Sequence, residues 1–256
     1  MRGLKGKRIV IAGGATGIGA ATAERLAEEG ASVAVGDINL AGAEATVKGI
    51  TEAGGTAVAI GFDLGDETSI QELVYRAATD FGGVDGLFNV GADLSPDTLG
   101  RDTDLLDMDP AVWRRTHDVN LLGYALTCRA VLPHLLGQGG GVIVNTSSGA
   151  AWGGEPTRPA YAASKAGINA LTRHIASRWG KEGIRCNALA PGLVLSEQLV
   201  RAFDQEQLDY ALDAGRSPRL GEPADLAAAA AFLLSDDAAW INGQAWSIDG
   251  GVSLRG

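Results

Sequence analysis

Two titratable side chains stand four residues apart in the segment Tyr-Ala-Ala-Ser-Lys, namely Tyr161 and Lys165. The surrounding pattern predicts a helix over about residues 160–179, and an i,i+4 spacing puts the phenol and the ammonium on one face. Both are side chains of the kind used in general acid–base catalysis. Taken alone, such a pair is more often a surface contact, so the interpretation depends on what lies around it.

A serine and an asparagine extend this candidate group. Ser148 follows a β-branched run at residues 142–146, and a serine at a strand end can hydrogen-bond a substrate oxygen in a crevice. Asn120 lies in a helical pattern over about residues 110–135, where asparagine is a mediocre helix former. A chemical role for its amide is one interpretation, and a solvated position on the helix is the other.

A glycine-rich turn follows the first predicted strand, in the run Ala-Gly-Gly-Ala-Thr-Gly-Ile-Gly of residues 12–19. Gly13, Gly17 and Gly19 give the spacing GxxxGxG, which lets backbone N–H groups and a helix N-terminus approach a pyrophosphate. Asp37 ends the second predicted strand, where an acid can bind the hydroxyls of an adenosine ribose. Position and acid together favour a dinucleotide site over a plain strand–helix turn.

Several other chemistries lack their residues. No Gly-Lys-Ser/Thr follows the glycines as a nucleotide-triphosphate loop requires, and no GxSxG elbow surrounds Ser147 or Ser148. The two cysteines, Cys128 and Cys186, have no CxxC spacing, and the three histidines are scattered. The sequence therefore predicts neither a disulfide framework nor a metal site.

Charge and composition narrow the class of partner. The net charge is −10, from 21 Lys+Arg against 31 Asp+Glu, which argues against nucleic acid or an anionic membrane as the main partner. The apolar run after the basic start is too short for a signal peptide, and no stretch approaches the ~20 apolar residues of a membrane helix. We expect a soluble, cytoplasmic protein with a small-molecule substrate.

Short β-branched runs alternate with longer alanine-rich helical patterns along the chain. Strands are predicted at about residues 9–11, 32–36, 56–60, 86–88, 141–146, 184–188 and 244–248. Helices are predicted at about residues 17–29, 41–53, 67–81, 110–135, 160–179 and 224–234. The strands are apolar without alternation, which is typical of strands covered on both faces.

This alternation predicts an α/β fold. We expect one Rossmann-type, doubly wound domain over residues 1–256, with a mostly parallel seven-stranded sheet and helices on both faces. Two polar segments break the rhythm, at residues 91–109 and at about 192–222. Such excursions at strand ends are where doubly wound folds build ligand sites, so the second is the expected substrate loop.

Together these features resemble the short-chain dehydrogenase/reductase family over nearly the whole chain. The resemblance places the family's glycine motif, adenine-side acid and Asn-Ser-Tyr-Lys catalytic set on Gly13, Gly17, Gly19, Asp63, Asn120, Ser148, Tyr161 and Lys165. The family's Asn-x-x-x-Pro-Gly segment matches Asn187, Pro191 and Gly192, followed by Ser196 where the family usually has threonine. The ending at residues 247–251 is also similar.

Two positions depart from the family pattern. Ala12 stands where the family usually has threonine, which removes one hydroxyl near the glycine turn. The run Asn89-Val90-Gly91-Ala92 replaces the usual Asn-Asn-Ala-Gly, so the loop geometry there is expected to differ. Neither departure touches the four catalytic positions.

The resemblance implies an NAD(H)-dependent oxidoreductase that interconverts a secondary alcohol and a ketone. Tyr161 would be the general acid/base, its pKa lowered by Lys165 and by oxidised nicotinamide. Lys165 would also hold the nicotinamide ribose, Ser148 the substrate oxygen, and Asn120 a water. The expected cofactor-binding residues are Gly13, Thr16, Gly17, Ile18, Gly19, Asp37, Ile38, Asp63, Leu64, Asn89, Val90, Gly91, Tyr161, Lys165, Pro191, Gly192, Val194 and Ser196.

The substrate is expected to be a mainly apolar, ring-containing or branched alcohol or ketone. The expected pocket lining is Ala150, Ala151, Trp152, Leu193, Leu195, Leu199 and Phe203, with a lid packed on the body as the alternative. Arg158 argues the other way, because a helical start would put it on the face of Tyr161, where it could pair with a substrate carboxylate.

Two alternatives to this function stay open, and one assembly is expected. A dehydratase or epimerase can use the same fold, although such relatives are usually longer. A non-catalytic dinucleotide sensor would be expected to lose Tyr161 or Lys165.

The resemblance and the two long helical segments predict a homotetramer.

Overall fold

The computed structural model describes residues 1–196, 199–200 and 203–254. Its strands are β1 (Arg8–Ala12), β2 (Ser32–Asp37), β3 (Thr56–Gly61), β4 (Gly86–Asn89), β5 (Gly141–Thr146), β6 (Ile184–Pro191) and β7 (Ala245–Ile248). Its helices, within the described ranges, are α1 (Gly17–Glu28), α2 (Leu40–Glu52), α3 (Glu67–Phe81), α4 (Pro110–His117), α5 (Gly123–Gly137), α6 (Ala150–Gly153), α7 (Pro159–Trp179), α8 (Gln205–Ala214) and α9 (Pro223–Leu234).

The strands form one sheet in the order β3-β2-β1-β4-β5-β6-β7, and every neighbouring pair is parallel. The chain winds outwards in one direction from β1 to β3 and in the other from β4 to β7. The strand order therefore reverses between β1 and β4, and the crevice beyond their carboxyl ends is the place where such folds bind ligands. The predicted fold class is confirmed.

Two buried apolar layers sandwich the sheet. On one face the core contains residues of α3, α5 and α7, among them Leu73, Val131 and Ile168. On the other face it contains residues of α1, α2 and α9, among them Leu26 and Ile50. Because both faces are covered, strand residues such as those of β1 are buried in succession, which explains why their sequence does not alternate.

Most predicted boundaries agree with the structure within one residue, and the exceptions lie in β6, in the excursion after it and in the helix predicted over residues 110–135. β6 continues to Pro191, beyond the predicted residue 188, because Leu189 and Ala190 still pair with β7. Within residues 192–222 the structure adds α8, which no sequence pattern predicted, and a bridge between Val194 and Gly221. Residues 197, 198, 201 and 202 of this excursion lie outside the described residues.

The helix predicted over residues 110–135 is not one regular helix. A π-helical turn, Asp118–Leu122, separates α4 from α5 and contains Asn120. Single π turns inside helices are frequent at functional sites, since they re-aim one side chain. The prediction of a continuous α-helix was therefore wrong at the position where a candidate catalytic residue lies.

The stretch Pro110–Gly137 is long and apolar enough by composition to cross a membrane, so the expectation that no such stretch exists was wrong on composition alone. Half of its most apolar window is buried inside the protein. Core helices of globular proteins pass the same test, and Tyr124, Cys128 and Val131 of this stretch pack into the core against the sheet.

Candidate active site

The glycine turn between β1 and α1 is so tightly closed that a side chain would not fit at Gly13 or at Gly19. Gly13 has a φ of 107° and Gly17 a φ of 56°, both in the region that favours glycine. A Cβ on Gly19 would lie 1.9 Å from the carbonyl oxygen of Gly13. Thr16, at the N-cap of α1, makes no side-chain capping bond. Its exposed position leaves the helix N-terminus facing outwards, which suits a phosphate group.

Two acids flank this turn at the ends of β2 and β3. The carboxylate of Asp37 accepts hydrogen bonds from the backbone N–H groups of Ala15 and Asn39, both at 2.9 Å. These bonds tie the glycine turn to the end of β2 and fix the carboxylate beside it. Asp63 accepts from the N–H of Gly65 at 2.7 Å. Ile18 is half-buried, Ile38 is exposed and Leu64 is buried.

The end of β4 packs directly on the turn. The N–H groups of Val90 and Gly91 both donate to the carbonyl of Ala12, at 3.0 and 2.7 Å. A Cβ on Gly13 would lie 2.3 Å from the nitrogen of Gly91, so the two glycines are in close backbone contact. The departure from the family pattern at residues 89–92 thus puts a small residue, Gly91, where the loop after β4 meets the glycine turn.

Asn89 and Asn145 form a buried polar link between β4 and β5. The amide nitrogen of Asn89 donates to Asn145 at 2.9 Å, and its oxygen accepts from Thr127 at 2.8 Å. The amide of Asn89 is therefore engaged within the protein, at the row where β4 and β5 end. Its expected contact with a cofactor stays a prediction.

Lys165 is anchored to the end of β5 by two bonds. Its Nζ donates to the carbonyl of Thr146 at 2.9 Å, and the hydroxyl of Ser147 donates to the carbonyl of Lys165 at 3.2 Å. The ammonium lies 5.3 Å from the ring centroid of Tyr124 and 5.6 Å from that of Tyr161. These distances are within cation–π range, so the structure brings the two predicted partners together.

Burial shifts the pKa values of both Lys165 and Tyr161. The side chain of Lys165 is only 2% exposed, and burial lowers its pKa to about 7. Burial also raises the pKa of Tyr161, although a hydrogen bond with Ser148 and the charge of Arg158 act to lower it. For the protein alone the loss of solvation outweighs these two effects, and the lowering expected from Lys165 together with oxidised nicotinamide stays a prediction.

Asn120 reaches this region from the π-helical turn. Its Oδ1 accepts from the backbone N–H of Asp93 at 2.9 Å. Its Nδ2 is buried without a protein partner. Buried donors of this kind are commonly satisfied by ordered water, which agrees with the water-binding role predicted for Asn120.

The expected substrate-pocket residues fall into two groups. Ala150, Ala151 and Trp152 lie in α6, which begins two residues after Ser148. In the excursion, Leu193 lines a cavity of about 260 Å³ with α8, and this cavity does not reach Ser148 or Tyr161. Other residues of this region are placed as follows: the N–H of Leu195 donates to the carbonyl of Gly221, Leu199 and Phe203 are half-buried, Pro191 ends β6, and Gly192 follows it.

Ser196 comes close to the glycine turn. A Cβ on Gly17 would lie 3.6 Å from the Cβ of Ser196. The loop after β6 therefore folds back over the crevice, where Val194 is buried and Ser196 half-buried. The role at the nicotinamide end that the resemblance implies for Ser196 stays a prediction.

Arg158 is not in the first helical turn, so the expected helical placement was wrong. It has a φ of 64° and precedes α7 as its N-cap. Its guanidinium forms a salt bridge with Glu155, three residues earlier. The positive charge that could have attracted a substrate carboxylate is thus paired within the protein.

Two residues near the site were missed by sequence reasoning. Tyr124 is fully buried, and burial raises its pKa far above the usual value. Asp102 binds the start of α7 through its carboxylate. The signal for Asp102 was indirect: Arg158-Pro159 offers no side-chain oxygen to cap a helix.

A second, larger cleft of about 960 Å³ lies at the amino ends of the strands, lined by residues such as Arg8, Asp85 and Arg185. It is at the opposite edge of the sheet from Tyr161.

Among the described residues, no group of histidine, cysteine and acidic side chains is arranged to hold a metal ion. Burial raises the pKa of Cys128 to about 12.

The residues at the carboxyl edge fit a dinucleotide. Gly13 and Gly19 form a cradle that a Cβ would fill, the N-terminus of α1 is uncapped by a side chain, and Asp37 offers acceptors beside it. A pyrophosphate, a positive helix end and ribose hydroxyls are complementary to these three features.

Comparison with known proteins gives concordant results. A family model described as enoyl-(acyl carrier protein) reductase matches residues 13–253. The chain is 41% identical over 250 residues to a probable short-chain type dehydrogenase/reductase of Bradyrhizobium diazoefficiens, with 97% of this chain and 88% of that protein covered. It is 38% identical over 246 residues to cis-4-hydroxycyclohexanecarboxylate dehydrogenase of Sinomonas cyclohexanicum, with 95% of each covered.

A solved structure is also similar along nearly the whole chain. It is a 7α-hydroxysteroid dehydrogenase complexed with NADH and 7-oxo glycochenodeoxycholic acid. The TM-score is 0.91 at 34% sequence identity, and the match covers 98% of this chain and 97% of that one.

Replacing Gly19 by alanine tests the glycine cradle. The new Cβ would overlap the carbonyl oxygen of Gly13, so we expect Gly19→Ala to weaken NAD(H) binding by at least about tenfold. Gly49→Ala in α2 is the matched control, since a Cβ there meets nothing within 4 Å. Calorimetric titration measures both, and wild-type affinity in Gly19→Ala would contradict the assignment.

Replacing Lys165 by methionine tests the cost of burying its charge. An unfolded lysine has a pKa of ~10.4, whereas Lys165 in the folded protein has one of about 7. Below pH 7 both states are protonated and the full burial cost applies, and the cost vanishes above ~10.4. Lys165→Met should therefore raise the Tm most below pH 7, by at least about 5 °C, and least in alkali.

Thermal unfolding at a series of pH values measures this difference. Lys48→Met is the control, because Lys48 is an exposed partner of Glu52 with 74% of its side chain accessible. We expect little change in its Tm at any pH. A difference between Lys165→Met and wild type that does not vary with pH would refute the burial argument.

Proposed function

This chain belongs to the short-chain dehydrogenase/reductase family, and on that basis we propose that it is an NAD(H)-dependent oxidoreductase that interconverts a secondary alcohol and its ketone. The observation that carries the proposal is the meeting of Ser148, Tyr161 and Lys165 at the carboxyl end of β5, beside the glycine turn. The dehydrogenase names of its relatives support the same class of reaction.

In this proposal the nicotinamide supplies the hydride acceptor or donor. Tyr161 takes the hydroxyl proton of an alcohol or returns a proton to the oxygen of a ketone. Ser148, whose hydroxyl acts to lower the pKa of Tyr161, donates to that same oxygen as its charge changes. Lys165 binds the ribose hydroxyls, and Asn120 holds a water through its free Nδ2.

The residues beyond the catalytic four are assigned by position. Backbone at Gly13, Thr16, Gly17, Ile18 and Gly19 would bind the pyrophosphate at the N-terminus of α1. The adenosine half would be contacted at Asp37, Ile38, Asp63 and Leu64, and the nicotinamide half at Asn89, Val90, Gly91, Pro191, Gly192, Val194 and Ser196. The bonds that hold Asp37 at the turn and the approach of Ser196 to Gly17 support this order.

The substrate that we propose is mainly apolar, with a ring or branch next to the reacting carbon. The apolar α6 residues Ala150 and Trp152 follow Ser148, and the charge of Arg158 is paired with that of Glu155. Relatives are named for hydroxysteroid and hydroxycyclohexanecarboxylate substrates, which carry such rings. Leu193 and Leu195 would join the lining if the excursion closes over the crevice.

We also propose that residues 1–256 form one catalytic domain, that the protein is cytoplasmic, and that it assembles as a homotetramer. The last point is supported by the apolar stretch Pro110–Gly137, of which half of the most apolar window is left unburied in the single chain. A partner subunit that covers this surface would remove apolar area from water.

Replacing Tyr161 by phenylalanine tests the proposed reaction. The variant keeps the ring but loses the hydroxyl, so we expect kcat to fall by about 10²–10⁴ while the Kd for NAD changes little. Tyr75→Phe is the control, because Tyr75 is an exposed residue of α3. Reduced-nicotinamide absorbance with a panel of cyclic secondary alcohols measures turnover, and substantial turnover in Tyr161→Phe would contradict the assignment.

Replacing Asp37 by alanine tests the choice of cofactor. The carboxylate would face the 2′-phosphate of NADP, and neither lysine nor arginine occurs at residues 14–16, 38 or 39 to compensate. Like charges ~4 Å apart repel by a few kcal/mol near a protein surface, so kcat/KM should favour NAD. Asp37→Ala should narrow that preference by at least about tenfold, and a wild-type preference for NADP would overturn the prediction.

A further inference from the structure

The helix that carries Tyr161 begins without a cap of its own. Arg158 precedes the first turn of α7, and its side chain makes no hydrogen bond to the free N–H groups there. It is also the one non-glycine residue, in the described part of the chain, with a positive φ. A bulky residue adopts this conformation only where surrounding contacts enforce it.

Asp102 supplies the missing cap from the excursion after β4. Its Oδ2 accepts from the backbone N–H of Tyr161 at 2.8 Å, and its Oδ1 accepts from that of Ala160 at 3.2 Å. The carbonyls of Asp102 and Thr103 both accept from the N–H of Arg158, at 3.0 and 2.9 Å. Proline at 159 has no N–H, so this short segment binds every N–H from residue 158 to residue 161.

The burial of Asp102 makes this contact specific. Asp102 is only 5% exposed, and a buried carboxylate is unfavourable unless hydrogen bonds stabilise its charge. The N-terminus of α7 provides both donors and a favourable dipole. The carboxylate is therefore held at one place, against the backbone of Tyr161.

We propose that Asp102 is a positioning residue, which fixes the backbone of Tyr161 and thereby aims its hydroxyl at the substrate oxygen beside Ser148. This inference rests on the proposed function, because it assigns a purpose to the position of that hydroxyl. Asp102 touches neither substrate nor cofactor in this account, and it acts through Tyr161.

Lys165 is held by different contacts, and this separates the two effects of a variant. The carbonyl of Thr146 and the hydroxyl of Ser147 anchor Lys165 to β5, independently of Asp102. Loss of Asp102 should therefore displace Tyr161 more than Lys165. A displacement of ~1 Å at a reacting group can cost about 10²-fold in rate, whereas cofactor contacts at the glycine turn would persist.

The experiment compares Asp102→Ala, Asp102→Asn and a matched control in the full chain. Asp66→Ala is the control, because Asp66 caps α3 through two backbone N–H groups, at 2.7 and 3.2 Å, away from Tyr161. The readouts are kcat with a secondary alcohol, the KM and Kd for NAD, and the Tm. All rates are measured well below the Tm of each variant.

We expect Asp102→Ala to lower kcat by about 10- to 100-fold with the Kd for NAD within about threefold of wild type. The kcat of Asp102→Asn should lie between those of Asp102→Ala and wild type. The amide oxygen of asparagine can still accept from the N–H of Tyr161, but its amide nitrogen cannot accept from the N–H of Ala160. Asp66→Ala should lower the Tm with kcat unchanged. This split between kcat and cofactor affinity, with partial rescue by asparagine, is not expected of a residue that only stabilises the fold.

Two results would overturn the inference. One is a folded Asp102→Ala, or Asp102→Asn if alanine prevents folding, with kcat within twofold of wild type. The other is a loss of kcat in Asp66→Ala as large as that in the Asp102 variants. Tyr161→Phe, measured in the same assay, distinguishes failure of this inference from failure of the proposed function. If Tyr161→Phe retained turnover, the proposed function would fail. If Tyr161→Phe lost turnover and the Asp102 variants kept it, the positioning role alone would fail.

Discussion

The ammonium group of Lys165 is buried without a carboxylate partner in the described part of the chain, and the geometry of the site depends on how the fold tolerates it. One carbonyl, that of Thr146, accepts from the charge, and two phenol rings lie within cation–π range. This surrounding replaces only part of the solvation that water would give, so the pKa of Lys165 falls to about 7. The fold thus holds, next to Tyr161, an ammonium group that would be more stable in water.

The parallel sheet explains why this is possible. All seven strands point the same way, so the loops after β1, β4, β5 and β6 meet at one edge. There the backbone of Gly13 touches Gly91, and Asn89 bonds to Asn145. Each of these contacts joins neighbouring strands at the row where they end. The rigid edge that results carries both the glycine turn and the anchor of Lys165, so cofactor and acid/base groups are placed by the same scaffold.

Much of this arrangement is encoded locally and was predictable. The β-branched runs, the glycine spacing and the i,i+4 pair of Tyr161 and Lys165 depend on residues close in sequence, and the strands and the main helices around them were placed almost to the residue. The features that escaped prediction depend on distant partners. The π-helical turn at Asn120, the left-handed Arg158 and the cap from Asp102 each require a contact between segments that the sequence alone does not align. The burial that raises the pKa of Tyr161 in the protein alone is likewise a property of the assembled fold.

The fold buries the charge of Lys165 at a cost in stability and keeps it beside Tyr161. The most direct measurement is an NMR titration of the ε-carbon of Lys165 in lysine-labelled protein without cofactor, with Lys165→Met identifying its resonance. We expect a midpoint near pH 7. A midpoint at the ordinary lysine value of ~10.4 would contradict it, because the ammonium would then be as well solvated in the protein as it is in water.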